Sequence, residues 1–203
     1  MIAIDPGLLD AKENYKFLTG SIIPRPIAFV TSETENGVLN AAPFSYFNIV
    51  TADPPLISIS VGRKNGEMKD TSRNILVNKE FVVHIPDESY IEAVNVTAAS
   101  LPPAESEVEL AGLTPVKSTA ISVPGVKEAS IRLECVLQQS IPLGGTNSKP
   151  STDLIIGKVV HYHISEELYD KGRIDASGLK PIGRLAGHDY MKLGERFSIE
   201  RPK

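Results

Sequence analysis

The chain is expected to be mainly β, a closed or partly closed antiparallel barrel with a few peripheral helices. Three observations lead there. Six or more segments carry strand-like alternation or β-branched runs with turn residues between them. Only three modest segments have helical character. No Gly-x-Gly-x-x-Gly follows the first strand, and strands do not alternate with long helices, so a doubly wound dinucleotide-binding unit is disfavoured.

The elements follow in order. Asp10 to Leu18 reads as a helix with Leu9, Tyr15, Phe17 and Leu18 as apolar anchors. Ile22 to Thr31 reads as a strand, made irregular or placed at an edge by Pro24 and Pro26. Glu33 to Gly37 is a turn, and Asn36-Gly37 is a strong hairpin signal. The next strand contains Asn40 to Ser45, with Pro43 marking an edge, a bulge or a strand end, and Ala52-Asp53-Pro54-Pro55 breaks the chain. Leu56 to Val61 alternates cleanly, apolar residues on one face and serines on the other. Gly62 to Met68 is a polar loop, and Asp70 is the expected N-cap of a helix reaching about Asn78. Phe81 to Ile85 is a strand, Ser89 to Ala99 a helix, and Pro102 to Glu109 an acidic surface loop. Gly112 to Pro124 alternates weakly. Ala129 to Ile141 and Leu154 to Ile164 are two long strands joined by the loop Gly144 to Pro150. The glycine-rich tail after Asp170 is expected to be irregular, wrapped over the surface or a neighbour. No repeat or linker divides residues 1–203, which are read as one domain.

Composition narrows the function. With 203 residues and 41% hydrophobic content, the chain can bury a substantial core. The formal net charge is −4 and no basic run occurs, which disfavours nucleic-acid binding. Cys135 is the only cysteine, so no intrachain disulfide is available and a reducing compartment, the cytoplasm, is expected. It lies in an alternating strand and reads as a buried, inert thiol. The N-terminal residues carry no basic and apolar leader pattern, and no apolar run approaches the roughly 20 residues of a membrane span. The Asn95-Val96-Thr97 sequon is read as a chance match.

Two segments point to a ligand. Asn40-Ala41-Ala42-Pro43-Phe44-Ser45 puts two alanines and a proline into a strand that would ordinarily carry bulky side chains. Small side chains let a flat object approach the backbone, and Asn40 and Ser45 offer polar corners. The alternative is a poorly packed strand end with no ligand. Gly62 to Asn74 is a polar loop running into a helix start, where free amides and the helix dipole favour phosphate. Arg63 and Lys69 can add charge, and Thr71 and Ser72 hydroxyls. The alternative is a capped, solvated surface helix. Arg25, held between two prolines, is either a binder of phosphate or carboxylate or an exposed edge residue.

Other constellations are less directive. His161 and His163 share a strand face, but no third ligand is evident, so a metal is not expected. His84 reads as structural and His188 as a surface-loop histidine. Glu105, Glu107 and Glu109 read as solvated rather than as paired catalytic carboxylates. Hydrolytic signatures are missing, and no catalytic residue is assigned. A flat platform and a phosphate cradle without an acid, base or nucleophile suit a redox cofactor that performs the chemistry itself.

Pro24-Arg25-Pro26, Asn40 to Ser45, Asp53-Pro54-Pro55, Lys69-Asp70-Thr71-Ser72-Arg73-Asn74 and Glu80-Phe81-Val82-Val83 occur in this order. Leu133-Glu134-Cys135, Gly157-Lys158-Val159-Val160 and Arg184 to Tyr190 follow. Together they resemble the flavin reductase-like family of FMN-binding split-barrel proteins over nearly the whole chain. The resemblance implies a homodimer of Greek-key split β-barrels with FMN at or near the dimer interface. It also implies reduction of that FMN by NADH or NADPH or, as the alternative, an electron carrier without its own nicotinamide site. By motif match, Asn40, Ala41, Ala42, Pro43, Phe44 and Ser45 would line the ring and its side chain. Ser60, Val61 and Gly62 would close the other side. Lys69, Thr71 and Asn74 would hold the phosphate, with Arg25 and Arg63 as helpers. Members often carry two glycines where this chain has Ala186-Gly187.

Overall fold

A computed structural model describes residues 1–145 and 149–202. Seven strands form one antiparallel sheet. These are β1 (Ala28–Glu33), β2 (Leu39–Phe44), β3 (Phe47–Ala52), β4 (Pro55–Gly62) and β5 (Glu80–His84), with two long strands that follow later. Between them, β6 (Pro115–Val116) and β7 (Gly125–Val126) pair as a small ribbon. The long strands are β8 (Ile131–Leu143) and β9 (Thr152–Ile164). Two more ribbons sit in the tail: β10 (Tyr169–Asp170) with β11 (Arg173–Ile174), and β12 (Gly183–Arg184) with β13 (Tyr190–Met191). The helices are α1 (Ala11–Ser21), α2 (Asp70–Asn78), α3 (Ile91–Val96), α4 (Glu107–Leu110) and α5 (Ala176–Leu179).

The strand order β2-β1-β5-β8-β9-β4-β3 curls into the expected Greek-key split barrel. Its interior is apolar. Ala28, Val30, Phe81, Val83, Cys135, Ile155 and Val159 pack with Ile57, Ile59 and Val61 from β4, Phe44 from the end of β2, and Ile75 from α2. The clean alternation of β4 is realised, with Ser58 and Ser60 on its outer face. A second apolar layer lies on the outside of β1, β2 and β5. There Phe29, Leu39, Ala41 and Val82 are covered by Tyr90, Val94, Val108 and Leu113, and by Val123 and Val126. The β1–β2 turn places Gly37 at φ +80°, the left-handed region that the Asn-Gly pair anticipates. No helix among the described residues is long and apolar enough to cross a membrane.

Several expectations need correction. Tyr15, Phe17 and Leu18 do not anchor α1; they are exposed, and Thr19 is the only buried residue of that helix. The first strand begins at Ala28, because residues 22–27 are drawn into a separate contact in which Arg25 and Arg184 exchange backbone hydrogen bonds. The platform strand β2 lies at one end of the strand order and stops at Phe44, just after Pro43, where an edge or strand end is expected of a proline; the chain then bends at Ser45-Tyr46 before β3. Lys69, not Asp70, is the N-cap of α2: it has extended dihedrals, and Asp70 is already helical. The helix at 89–99 contracts to Ile91–Val96. The acidic loop contains α4 and buries Glu107. The tail forms the short ribbons and α5, then runs exposed after Met191. Of the expected Gly144 to Pro150 loop, residues 146–148 lie outside the described residues.

Candidate functional site

β2 and the start of α2 form two sides of one cleft of about 510 Å³, within the roughly 300–1,000 Å³ usual for small-molecule sites. Asn40, Ala41, Ala42, Pro43 and Phe44 make its floor. Segment 64–73, with Lys64, Lys69, Thr71 and Arg73, makes one wall. Thr97 to Leu101, Pro103 and Glu107 make the other. The two sequence segments that pointed to a ligand therefore meet in space.

The floor is shallow because its side chains are small, and Phe44 turns into the barrel core. At the α2 wall, Lys69 caps with backbone dihedrals only, and no side chain caps the first turn. The amides at that helix start are left to solvent or to an anion. Lys69 Nζ stands 6.0 Å from the centre of the Phe44 ring. Asp70 would oppose an anion, but its carboxylate is ion-paired to Arg73. Ser72 Oγ in the same turn is buried and lacks a hydrogen-bond partner among the described residues. A flat ring on the alanine floor with a phosphate at Lys69–Thr71 suits this lining, so FMN fits.

The remaining sequence candidates do not line this cleft, and several are bonded within the protein. Arg25 is neither held out to a ligand nor exposed; it is 6% exposed. Its guanidinium donates to the carbonyls of Thr19 and Ile22 at 2.7 and 2.8 Å and of Leu185 at 2.7 Å, and to Ser45 Oγ at 3.4 Å. It ties α1, the end of β2 and the tail together. Arg63 pairs with Asp153 at 2.6 Å, and Asp153 is 1% exposed. Asn74 is buried and donates to Asn40 Oδ1 at 2.8 Å and Ser32 Oγ at 3.3 Å. Ser60, Val61 and Gly62 lie on β4, with Val61 in the core, away from the cleft lining. Ser45 lies just beyond the floor, against Arg25.

Sequence reasoning missed Glu107, Lys64, Arg73 and the Thr97–Leu101 wall. One signal was present for Glu107. Ser106-Glu107-Val108-Glu109 has the Ser-x-x-Glu pattern of a helix start, and Ser106 Oγ does accept from the Glu109 amide. Ser106 Oγ also donates to the Leu39 carbonyl, which fastens α4 to β2.

His84, His163 and Cys135 serve the fold. His84 is buried; its Nδ1 meets the Phe29 carbonyl at 2.9 Å and Nε2 accepts from the Val126 amide at 2.9 Å. Burial pushes its pKa down to about 4. His163 Nε2 meets Glu134 Oε1, which also accepts from the Thr119 amide. Cys135 is fully buried, and burial pushes its thiol pKa up. His188 is exposed in the tail.

Known proteins resemble this chain throughout. A sequence model of the flavin reductase like domain matches residues 19–178. The crystal structure of nitrilotriacetate monooxygenase component B from Bacillus cereus is 67% identical, with a TM-score of 0.97 over 98% of both chains. The 2-nitrobenzoate 2-nitroreductase of Pseudomonas fluorescens is 34% identical, with a TM-score of 0.89 over 99% of this chain and 96% of its own. An uncharacterized protein of Halalkalibacterium halodurans is 54% identical over 98% of this chain and 96% of its own.

Proposed function

This chain belongs to the flavin reductase like family, and on that premise we propose that it is an oxidoreductase that binds FMN in the cleft, uses NADH or NADPH as donor and passes electrons to an acceptor. The observation that carries this reading is the meeting of the Asn40–Phe44 floor with the uncapped start of α2 in one cleft. The names of two neighbours, a monooxygenase component and a nitroreductase, fit a flavin-linked oxidoreductase.

FMN, when bound, supplies the hydride and electron chemistry. The chain's own residues bind and orient. Lys69 and the first-turn amides of α2 hold the phosphate. Ala41, Ala42 and Pro43 let the ring lie close to the backbone. Thr97 to Leu101 restricts water from one side. This division of labour calls for no protein nucleophile or acid–base pair.

We also propose that the working unit is a homodimer. Ile49 and Val50 on the edge strand β3 and Tyr46 in the bend before it are exposed, as are Tyr15, Phe17 and Leu18 on α1 and the neighbouring Ile22 and Ile23. Exposed edge strands and apolar patches are ordinarily covered. Sedimentation velocity should give about twice the monomer mass; a monomer across micromolar concentrations defeats the dimer.

The test of function is spectroscopic. Purified protein reconstituted with FMN should show a perturbed flavin absorbance that bleaches anaerobically on adding NADH or NADPH. Bound flavin that stays oxidised with both donors, yet is reduced by a separate reductase, would leave an electron carrier in place of a reductase. Failure to retain FMN at micromolar concentration would remove both readings.

A further inference from the structure

Glu107 is a carboxylate buried on the wall of a cleft lined by charges of both signs, and the proposed function does not use it. The residue is 8% exposed. Its Oε2 accepts from Asn40 Nδ2 at 3.1 Å and from the Ala41 amide at 3.2 Å. Asn40 is in turn fixed by Asn74, whose Nδ2 donates to its Oδ1 and to Ser32 Oγ. This chain of bonds sets the carboxylate against the floor in one orientation.

Oε1 is different. No donor among the described residues reaches it, although the residue lines the cleft. The facing segment contributes the cations Lys64, Lys69 and Arg73 together with the carboxylates Glu67 and Asp70. Oε1 is open to the cleft; water can serve it there, and once a ligand displaces that water the carboxylate repels a ligand that presents only acceptors. It favours one that presents an N–H or O–H there. β2 carries Glu107's partners Asn40 and Ala41 at one end and Phe44, beside Lys69, at the other. Three to four residues of strand span about 10 Å, the scale of a ligand with its anionic group at one end and its donor at the other.

We propose that Glu107 Oε1 accepts a hydrogen bond from an N–H or O–H donor of the bound ligand and so selects flavins that carry that donor. The proposal rests on the FMN reading. Two parts of FMN supply such a group: the imide N–H of the ring and the hydroxyls of the side chain.

The experiment compares three ligands on the whole protein by fluorescence titration. These are FMN, its N3-methyl derivative, and an analogue in which a plain phosphopentyl chain replaces the hydroxylated one. Wild type should bind one of the two analogues roughly tenfold to a hundredfold more weakly than FMN, the worth of a hydrogen bond to a charged group. The analogue that loses identifies the donor. Glu107→Gln keeps an oxygen for Asn40 and Ala41 but presents an amide to the ligand. In that variant the selective ratio should collapse toward one, with thermal unfolding confirming an intact fold. Ratios unchanged in Glu107→Gln overturn the proposal. So do equal wild-type affinities for all three ligands, which decide the matter even if the variant fails to fold. Wild type that binds none of the three defeats the FMN reading itself, and this inference with it.

Discussion

Two groups of basic residues lie within or beside the same motifs and do opposite things. Arg25 is buried and Arg63 partly buried, and they spend their donors on carbonyls and on Asp153. Lys64, Lys69 and Arg73 line the cleft. The difference is partner supply. Arg25 is surrounded by the open carbonyls of α1's last turn and of the tail, so the fold consumes it. Lys69 sits where α2 begins, and the acceptors beside it, the Asp70 carboxylate and the Met68 carbonyl, are engaged by Arg73, so its charge is left for a ligand. Motif membership locates a cation; its neighbours decide whether it holds the protein or what the protein holds.

The largest effect is expected on the structural side of this division. Arg63→Ala would strand the buried Asp153 carboxylate, and breaking such a pair by removing one partner typically costs about 3–5 kcal/mol. Urea unfolding should show the loss. FMN affinity of the molecules that remain folded should stay within about threefold. Normal stability with a tenfold loss of FMN would place Arg63 in the binding site and break the division.

His84 sharpens the same contrast through pH. Its folded pKa of about 4 lies below the unfolded value of roughly 6.5, so the unfolded chain takes up the proton first as pH falls. The stability held by the neutral imidazole is complete above about pH 6.5 and is lost as pH falls toward 4. Between pH 7 and 4.5 the loss should be about 2.5 kcal/mol. A His84→Gln variant should be less stable throughout but show a flatter stability profile in that window. Parallel profiles would mean that His84 is not held neutral.

Much of the barrel was legible because it is written in local pattern. The Asn36-Gly37 turn, the serine alternation of β4 and the strand patterns of β8 and β9 each declare themselves within about a dozen residues. The platform and the helix start were legible for the same reason. What failed to show was long-range. Glu107 is buried because Asn40 and Ala41, more than sixty residues away, supply donors to it. Arg25 looked presented by its prolines, yet Leu185 captures it from the tail. The α1 anchors follow an apolar pattern that this chain leaves exposed, and the pattern alone cannot say what would cover it.

On the ligand side, Lys69→Ala is the sharper cut. Lys69 is exposed and makes no ion pair among the described residues, so folding should not notice its loss. One charge-assisted phosphate contact is worth roughly tenfold in affinity. Titration should show FMN weakened by about that factor while riboflavin, which lacks the phosphate, binds as before. An equal loss for both flavins would mean that Lys69 supports the cleft's shape and does not read the phosphate.

Arg73→Ala should have the smallest effect, and its sign is the informative part. Arg73 lines the cleft, yet its guanidinium is half exposed and already engaged with Asp70 and the Met68 carbonyl. An exposed pair of this kind contributes little to stability. Its local service is to neutralise Asp70, a carboxylate in the first turn of α2 where the phosphate would sit. Removing Arg73 alone should therefore weaken FMN two- to threefold, by leaving Asp70 unopposed more than by deleting a contact. Removing Asp70 as well should restore affinity to wild type or slightly above it. If Asp70→Ala/Arg73→Ala binds FMN as poorly as Arg73→Ala, the guanidinium itself reaches the ligand, and the line between cations committed to the protein and cations left for the cofactor runs on the other side of Arg73.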